Sequence, residues 1–226
     1  MPMDIIPVNI SRAQVLRYLG YRGGSIDDKV DRQMDIARER VLSAANPRYI
    51  YAIYPLDWHD GLSIQGTVLK PLGQDIMTHL RGCGHVILMA VTLGGDVDKE
   101  ISRTQITDMG LASIIDATAD AAVESVCDGL QLRLGQEFED KFLTERFSPG
   151  YGDMPLSQQE PFCQVLDTGR KIGLRATDNF ILSPRKSVTA LIGISDEPVK
   201  RSGRGCENCN LAETCIMRKA GETCGK

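Results

Sequence analysis

The chain has 226 residues, 42% of them apolar and 25% charged, with a formal net charge of −4; that bounds it to one sizeable domain, or a domain with small appendages. A slightly acidic chain with no long basic run lacks the electropositive face that phosphate binding demands, so nucleic acid is excluded as the main partner. The longest apolar run, Val86 to Leu93, is too short to cross a bilayer, and the opening MPMDIIPVNISRAQ has neither the basic start nor the apolar core of a signal peptide, so a cytoplasmic setting with no membrane partner is expected.

Residues 11–20, SRAQVLRYLG, predict a short helix with Ser11 as cap, Val15, Leu16 and Leu19 on one face, and Gly20 as the stop. After the Gly23-Gly24 break, Ser25 and Asp28 form a capping-box pattern. Val30, Met34, Ala37 and Val41 then recur at helical spacing until Pro47 closes the run. Residues 1–47 are thus expected to be a helical N-terminal segment. Tyr49 to Tyr54 and Gly61 to Leu69 read as strands, and 72–82 as a helix with Ile76 and Leu80 inward. His85 to Leu93 is a continuous apolar run, the pattern of a buried strand.

Residues 96–108 read as helical. Residues 111–136 form a long helix with Ile115, Ala119, Ala122, Val126 and Leu130 on one stripe; Val123 and Cys127 lie off that stripe, which predicts cover on two sides. Residues 146–156, RFSPGYGDMPL, carry two prolines and two glycines and read as a shaped loop. A helix is expected over 157–170. From Ser187 to Ser195, Val188, Ala190, Ile192 and Ile194 alternate onto one face of a strand. A core over 48–199 is followed by a polar linker, Lys200 to Gly205, and a tail over 200–226. Strands and helices mix without regular βα alternation, so the expected class is α+β, a mainly antiparallel sheet packed with helices.

The tail holds Cys206, Cys209, Cys215 and Cys224 in a C-x2-C-x5-C-x8-C array. Four thiolates this close in sequence can converge on Zn or on a [4Fe–4S] cluster. Disulfides are the weaker reading for a chain with no sign of secretion. Arg201, Arg204, Arg218 and Lys219 surround the array and favour thiolates. The uneven spacing departs from the paired knuckles of a zinc ribbon, and both metals stay open. Cys83, Cys127 and Cys163 are scattered and read as core or half-buried thiols.

Arg146-Phe147-Ser148-Pro149-Gly150-Tyr151 resembles the R-x-A-P-G-Y signature of the activation (reactivation) domain of cobalamin-dependent methionine synthase. Ala119-Asp120 and Glu124 match the A-D-x-x-x-E pattern of that domain's long helix. Pro155 also stands where the family has proline. The stretch 173–195 resembles the family's closing segment through Gly173, Thr177, Asp178, Phe180, Pro184, Ser187, Val188 and Thr189. The likeness runs over roughly residues 50–195.

That resemblance implies a stand-alone module that binds S-adenosylmethionine (SAM) and passes its methyl to a corrinoid whose cobalt, oxidised to the inactive Co(II) state, has first been reduced by one electron. It implies a cobalamin-binding methionine synthase or another corrinoid protein as partner, presenting the cobalamin, and a low-potential electron donor such as flavodoxin or ferredoxin. Carried over by position, Arg146 would fork onto the SAM carboxylate, as a planar guanidinium suits. Glu124 would meet the α-amino group. Ser148 would offer backbone polar groups, Pro149 and Gly150 a tight turn, and Tyr151 a ring beside the sulfonium. Read alone, the same residues also fit a surface ion pair for Arg146, a solvated Glu124 with Asp120 one turn earlier, and an ordinary type II turn.

The chain departs from the family pattern at Gly152-Asp153-Met154-Pro155, where P-A-C-P is usual. Asp57-Trp58 lacks the aromatic-rich context of the family's N-terminal acidic contact, and the tail replaces its C-terminal tyrosine contact. Asp57-x-His59 begins like a D-x-H-x-x-G cobalamin motif, but Leu62 breaks it, so His59 reads as a loop residue. Because reactivation consumes a low-potential electron, the tail leans towards a cluster. Two other functions fit the same residues: an Fe–S electron-transfer activator of a corrinoid protein, and a noncatalytic docking module with a structural zinc.

Overall fold

The protein is described from a computed structural model over residues 6–21 and 26–199. The Gly23-Gly24 break, Ser25 and the four tail cysteines lie outside the described residues.

The architecture grows from the apolar run at its centre. Strand β3 (His85–Thr92) is buried at every position after His85. It can be so because antiparallel neighbours pair with both of its edges and helices cover both of its faces. β1 (Arg48–Asp57) pairs with one edge, Arg48 opposite Thr92 through Pro55 opposite His85. β7 (Ser187–Ser195) pairs with the other, His85 opposite Ile194 through Thr92 opposite Ser187. Two short strands, β2 (Ser63–Ile64) and β4 (Phe142–Leu143), close the sheet in the order β2-β1-β3-β7-β4. β5 (Arg175–Ala176) and β6 (Leu182–Ser183) form a separate two-stranded ribbon.

Each sheet face has its own core. On one, Ile87, Met89, Val91, Ala190, Ile192 and Ile194 pack under helices α1 (Arg12–Tyr18), α2 (Asp28–Ala44), α4 (Gly95–Thr107) and α5 (Met109–Glu137). On the other, Val86, Leu88, Ala90 and Leu191 pack under α3 (Gln74–His79) and α6 (Gln159–Leu166), with α7 (Thr168–Lys171) following α6. The period-2 alternation of the strand side chains sorts them between the two cores. α5 is the axis of the first layer, packed by α1, α2 and α4. Both Val123 and Cys127 are buried with the main stripe, as cover on two sides requires. The α+β expectation holds.

Several boundaries differ from expectation. The cap of α2 is Asp27, whose carboxylate accepts from the Lys29 N–H at 2.7 Å. The expected strand 61–69 shrinks to Ser63–Ile64. Gly66 turns at φ +73°, and the Thr67 hydroxyl donates to the Ile64 carbonyl and accepts from the Leu69 amide, so local bonds replace a ladder. The expected helix 72–82 is only Gln74–His79. The expected helix 157–170 begins with a 3-10 turn at Leu156–Gln158 and breaks at Asp167, which sits left-handed at φ 54°, a conformation Asp tolerates better than most residues. Each of β4, β5 and β6 is two residues long and was unpredicted; elements that short carry almost no periodic signal. His59 lies in a turn after β1, as expected.

Candidate functional site

The chain after β4 continues along the edge of the sheet, beside β7. Thr144 donates its N–H to the Gly193 carbonyl at 3.0 Å, and Phe147 exchanges backbone bonds with Leu191. Two residues, Glu145 and Arg146, therefore stand opposite the single residue Ile192. This is a β-bulge, a device that re-aims side chains at a sheet edge. Phe147 falls back into register and turns to the α3 side, where its ring lies 5.2 Å from that of His79. Arg146 turns to α5.

There the guanidinium is enclosed, with its side chain only 6% exposed. Nη2 donates to Glu124 Oε2 at 3.0 Å and to Asp128 Oδ1 at 2.7 Å, and Nη1 donates to Gln131 Oε1 at 2.9 Å. All three acceptors project from one face of α5, at helical spacing. Burial alone would lower the pKa of Arg146; the Asp128 and Glu124 carboxylates beside it outweigh that effect and raise it. Burial pushes the Cys127 thiol well up, so this group stays neutral beneath the arginine. The carboxylates remain open to water: Glu124 is 32% exposed and Asp128 59%.

A second cation meets α5 two turns earlier. Lys186 Nζ, from the segment entering β7, reaches Asp116 Oδ1 at 2.9 Å and Asp120 Oδ1 at 2.7 Å. Asp116, Asp120, Glu124 and Asp128 are thus one row at i, i+4, i+8 and i+12. Two buried cations offset half of its charge and part of the like-charge repulsion along the helix. Burial raises the pKa of Asp120, against the pull of Lys186.

The turn beyond Phe147 is closed by its own backbone. Tyr151 N–H donates to the Ser148 carbonyl and Met154 N–H to the Tyr151 carbonyl, both at 3.0 Å, and Gly150 N–H donates to the Met154 carbonyl at 2.9 Å. Gly150 adopts φ +94°, a conformation that calls for glycine. Pro149 is buried, whereas Tyr151 is 64% exposed, its ring tilted against Phe147 at 6.5 Å. Asp153 fastens the turn to α3: its carboxylate accepts from the N–H groups of Gln74 (2.6 Å) and Asp75 (3.1 Å), while Asp75 Oδ2 accepts from the Asp153 N–H at 3.2 Å.

Beside Arg146, between the C-terminal half of α5 and β4, runs an open groove of about 640 Å³. Asp128 and Gln131 stand at one end of its lining, with Leu132, Gly135 and Leu143 further along. Two of the three partners of Arg146 are therefore also groove walls.

No family model and no curated protein matches the chain. Among solved structures, it superposes on a crystal structure of the MetH reactivation domain bound to AdoHcy, with a TM-score of 0.60 over 95% of this chain and 82% of that one, at 13% identity. The chain has the MetH reactivation domain fold.

On that fold the expected residues separate into two groups. Glu124 and Arg146 come together, as a mutual ion pair. Ser148, Pro149, Gly150 and Tyr151 form the adjoining turn, with the tyrosine ring on the Phe147 side rather than against the guanidinium. The four tail cysteines lie outside the described residues, and among the described residues no group of His, Cys, Asp and Glu could hold a metal ion. Cys83, Cys127 and Cys163 are buried free thiols, as expected. No helix among the described residues is long and apolar enough to cross a membrane.

Sequence reasoning missed Asp128, Gln131, Lys186 and Asp153. The signal for the first was the four-residue acidic spacing along an otherwise apolar helix. Asp153 stands in the segment that departs from the family pattern, where nothing in its neighbours announces a cap for a helix nearly eighty positions earlier.

Proposed function

We propose that the protein binds SAM and presents its sulfonium methyl to the corrinoid of a separate protein, restoring a cobalamin-dependent methionine synthase or a related corrinoid methyltransferase. The observation that carries this reading is the buried Arg146 paired with Glu124 beside an open groove, on the fold of a domain solved with AdoHcy. An α-amino acid is a zwitterion, and this pair offers one fixed cation and one solvent-facing carboxylate to match it. Arg146 takes the ligand carboxylate and Glu124 its ammonium. The groove has a volume in the range of small-molecule sites and gives the adenosyl part room. By the resemblance, Ser148 would offer backbone groups to the ligand, Pro149 and Gly150 the tight turn, and Tyr151 an exposed ring suited to a cation.

The reaction is displacement at the sulfonium methyl: the S–CH3 bond breaks, the methyl passes to the reduced corrinoid, and the thioether leaves. This chain contributes position rather than proton transfer, in keeping with a turn that offers no poised general base. The electron comes from a low-potential donor of the flavodoxin or ferredoxin type. Cys206, Cys209, Cys215 and Cys224 form a four-thiolate donor set suited to [4Fe–4S] or Zn, and a cluster there would place an electron relay on the same chain.

Calorimetric titration of anaerobically prepared protein with SAM tests the reading. One-site saturable binding in the wild type, lost in Arg146→Ala while the fold is kept, is the expected result. A wild type that does not bind SAM, or an Arg146→Ala variant that binds it equally well, overturns the assignment.

A further inference from the structure

We infer that Asp128 is a second ammonium-recognising carboxylate, which exchanges its hold on Arg146 for the ligand; this rests on the SAM-binding reading above. Each terminal nitrogen of the Arg146 guanidinium is engaged by α5: Nη2 by Glu124 and Asp128, Nη1 by Gln131. Both N–H groups of Nη2 are thus taken, so a ligand carboxylate reaches Nη2 only when one of its two acceptors yields. Among the described residues, Gln131 is the acceptor on Nη1. Glu124 and Asp128 share Nη2, so either can leave without stripping the nitrogen. Of these, Asp128 is the more exposed, 59% against 32%, and keeps most of its hydration when it moves. It also lines the groove, which Glu124 does not.

Charge leads to the same residue. One guanidinium faces two carboxylates, and the buried Cys127 thiol beneath adds nothing, so the cluster carries an excess negative charge. A bound zwitterion leaves that net charge unchanged but gives the displaced carboxylate a cation: the ligand carboxylate takes the place of Asp128 on Nη2, and its ammonium settles between Glu124 and the released Asp128. Every charge then has an opposite neighbour. With Glu124 alone, the ammonium would have one carboxylate that is already tied to Arg146. Asp128 is thereby a specificity determinant for ligands that keep the amino-acid end.

The test compares two thioether ligands, S-adenosylhomocysteine and 5′-methylthioadenosine, which lacks both the ammonium and the carboxylate. Titrations use the full chain as wild type, Asp128→Asn and Asp128→Glu. We expect Asp128→Asn to weaken S-adenosylhomocysteine binding roughly tenfold to hundredfold, the range for a hydrogen bond to a charged group. Methylthioadenosine binding should be unchanged, and Asp128→Glu should recover most of the loss. If Asp128→Asn binds S-adenosylhomocysteine as the wild type does, or weakens both ligands equally, Asp128 is not a recognition residue although the protein still binds the cofactor. Should methylthioadenosine bind too weakly to titrate, the Asp128→Glu rescue decides alone. A wild type that binds neither SAM nor S-adenosylhomocysteine overturns the functional reading, and this assignment with it.

Discussion

Gly73 and Asp153 are fitted to each other so closely that a single methyl group at residue 73 would overlap the Asp153 carboxylate. Gly73 sits at φ +123° just before α3, and the carboxylate that would be struck is the one capping that helix. Gly73→Ala therefore suffers twice, from a backbone conformation that L-residues avoid and from loss of the cap. We expect it to cost about 1–3 kcal/mol of stability, read by urea denaturation. Gly61, also at positive φ but with open space around it, should show the backbone part alone.

Asp153 and Asp120 should give opposite slopes to the pH dependence of stability. Backbone N–H donors from Gln74 and Asp75 hold the Asp153 pKa below its ordinary value. Its contribution is present above the unfolded-chain pKa of about 3.9 and is lost as pH falls through the lower folded value. Burial raises the Asp120 pKa, so its contribution is present below about pH 3.9 and is lost as pH rises through the folded value. Asp153→Asn should flatten the acid limb of a stability–pH curve measured by thermal melts. Asp120→Asn should flatten the segment just above pH 4. Identical curves for both variants would refute the pair of assignments.

The Arg146 cluster should be asymmetric to mutation. Arg146→Met frees two carboxylates that are already partly hydrated. The double variant Glu124→Gln/Asp128→Asn instead leaves a nearly buried guanidinium without a counter-charge. The double variant should lose about 3 kcal/mol, and Arg146→Met distinctly less. Denaturant unfolding of the three proteins measures the difference; equal losses would mean that the carboxylates are not what keeps the arginine inside.

Much of the scaffold was legible in the residues, for physical reasons that can be named. The run from Val86 to Leu93 is too apolar for anything but a strand covered on both faces, and it is the central strand. The off-stripe burial of Val123 and Cys127 anticipated that α5 is packed from more than one direction. Periodicity could not show the break at Asp167, because a left-handed residue leaves the apolar spacing intact. At the site, Arg146 and Glu124 were legible only through the resemblance to a known motif. Their meeting depends on the bulge at Glu145–Arg146, which is a matter of register against β7, and register belongs to two strands at once. Asp128 and Gln131 went unread, because they lie off the apolar stripe on a face that is partly open to water.

Gly135 offers a lever on the groove. It lies exposed near the end of α5, and a Cβ there would meet nothing within 4 Å. Gly135→Ala should stabilise the protein by about 0.5–1 kcal/mol, the helix cost of glycine. Gly135→Trp should fold equally well and fill the groove, lowering SAM affinity by a large factor in calorimetry. If SAM binds unaltered to the tryptophan variant, the adenosyl part lies elsewhere.

The return to register at Phe147 leaves the motif written on two sides of one wall. Arg146 faces α5, while Tyr151 leans on Phe147 towards α3. A scan of single substitutions from 146 to 151 should thus resolve into two unlinked families: changes at the arginine end that add non-independently to changes at Glu124, and changes at the tyrosine end that do not. A molecule sensed by both families at once has to straddle the border strand, with one part on each side of the sheet.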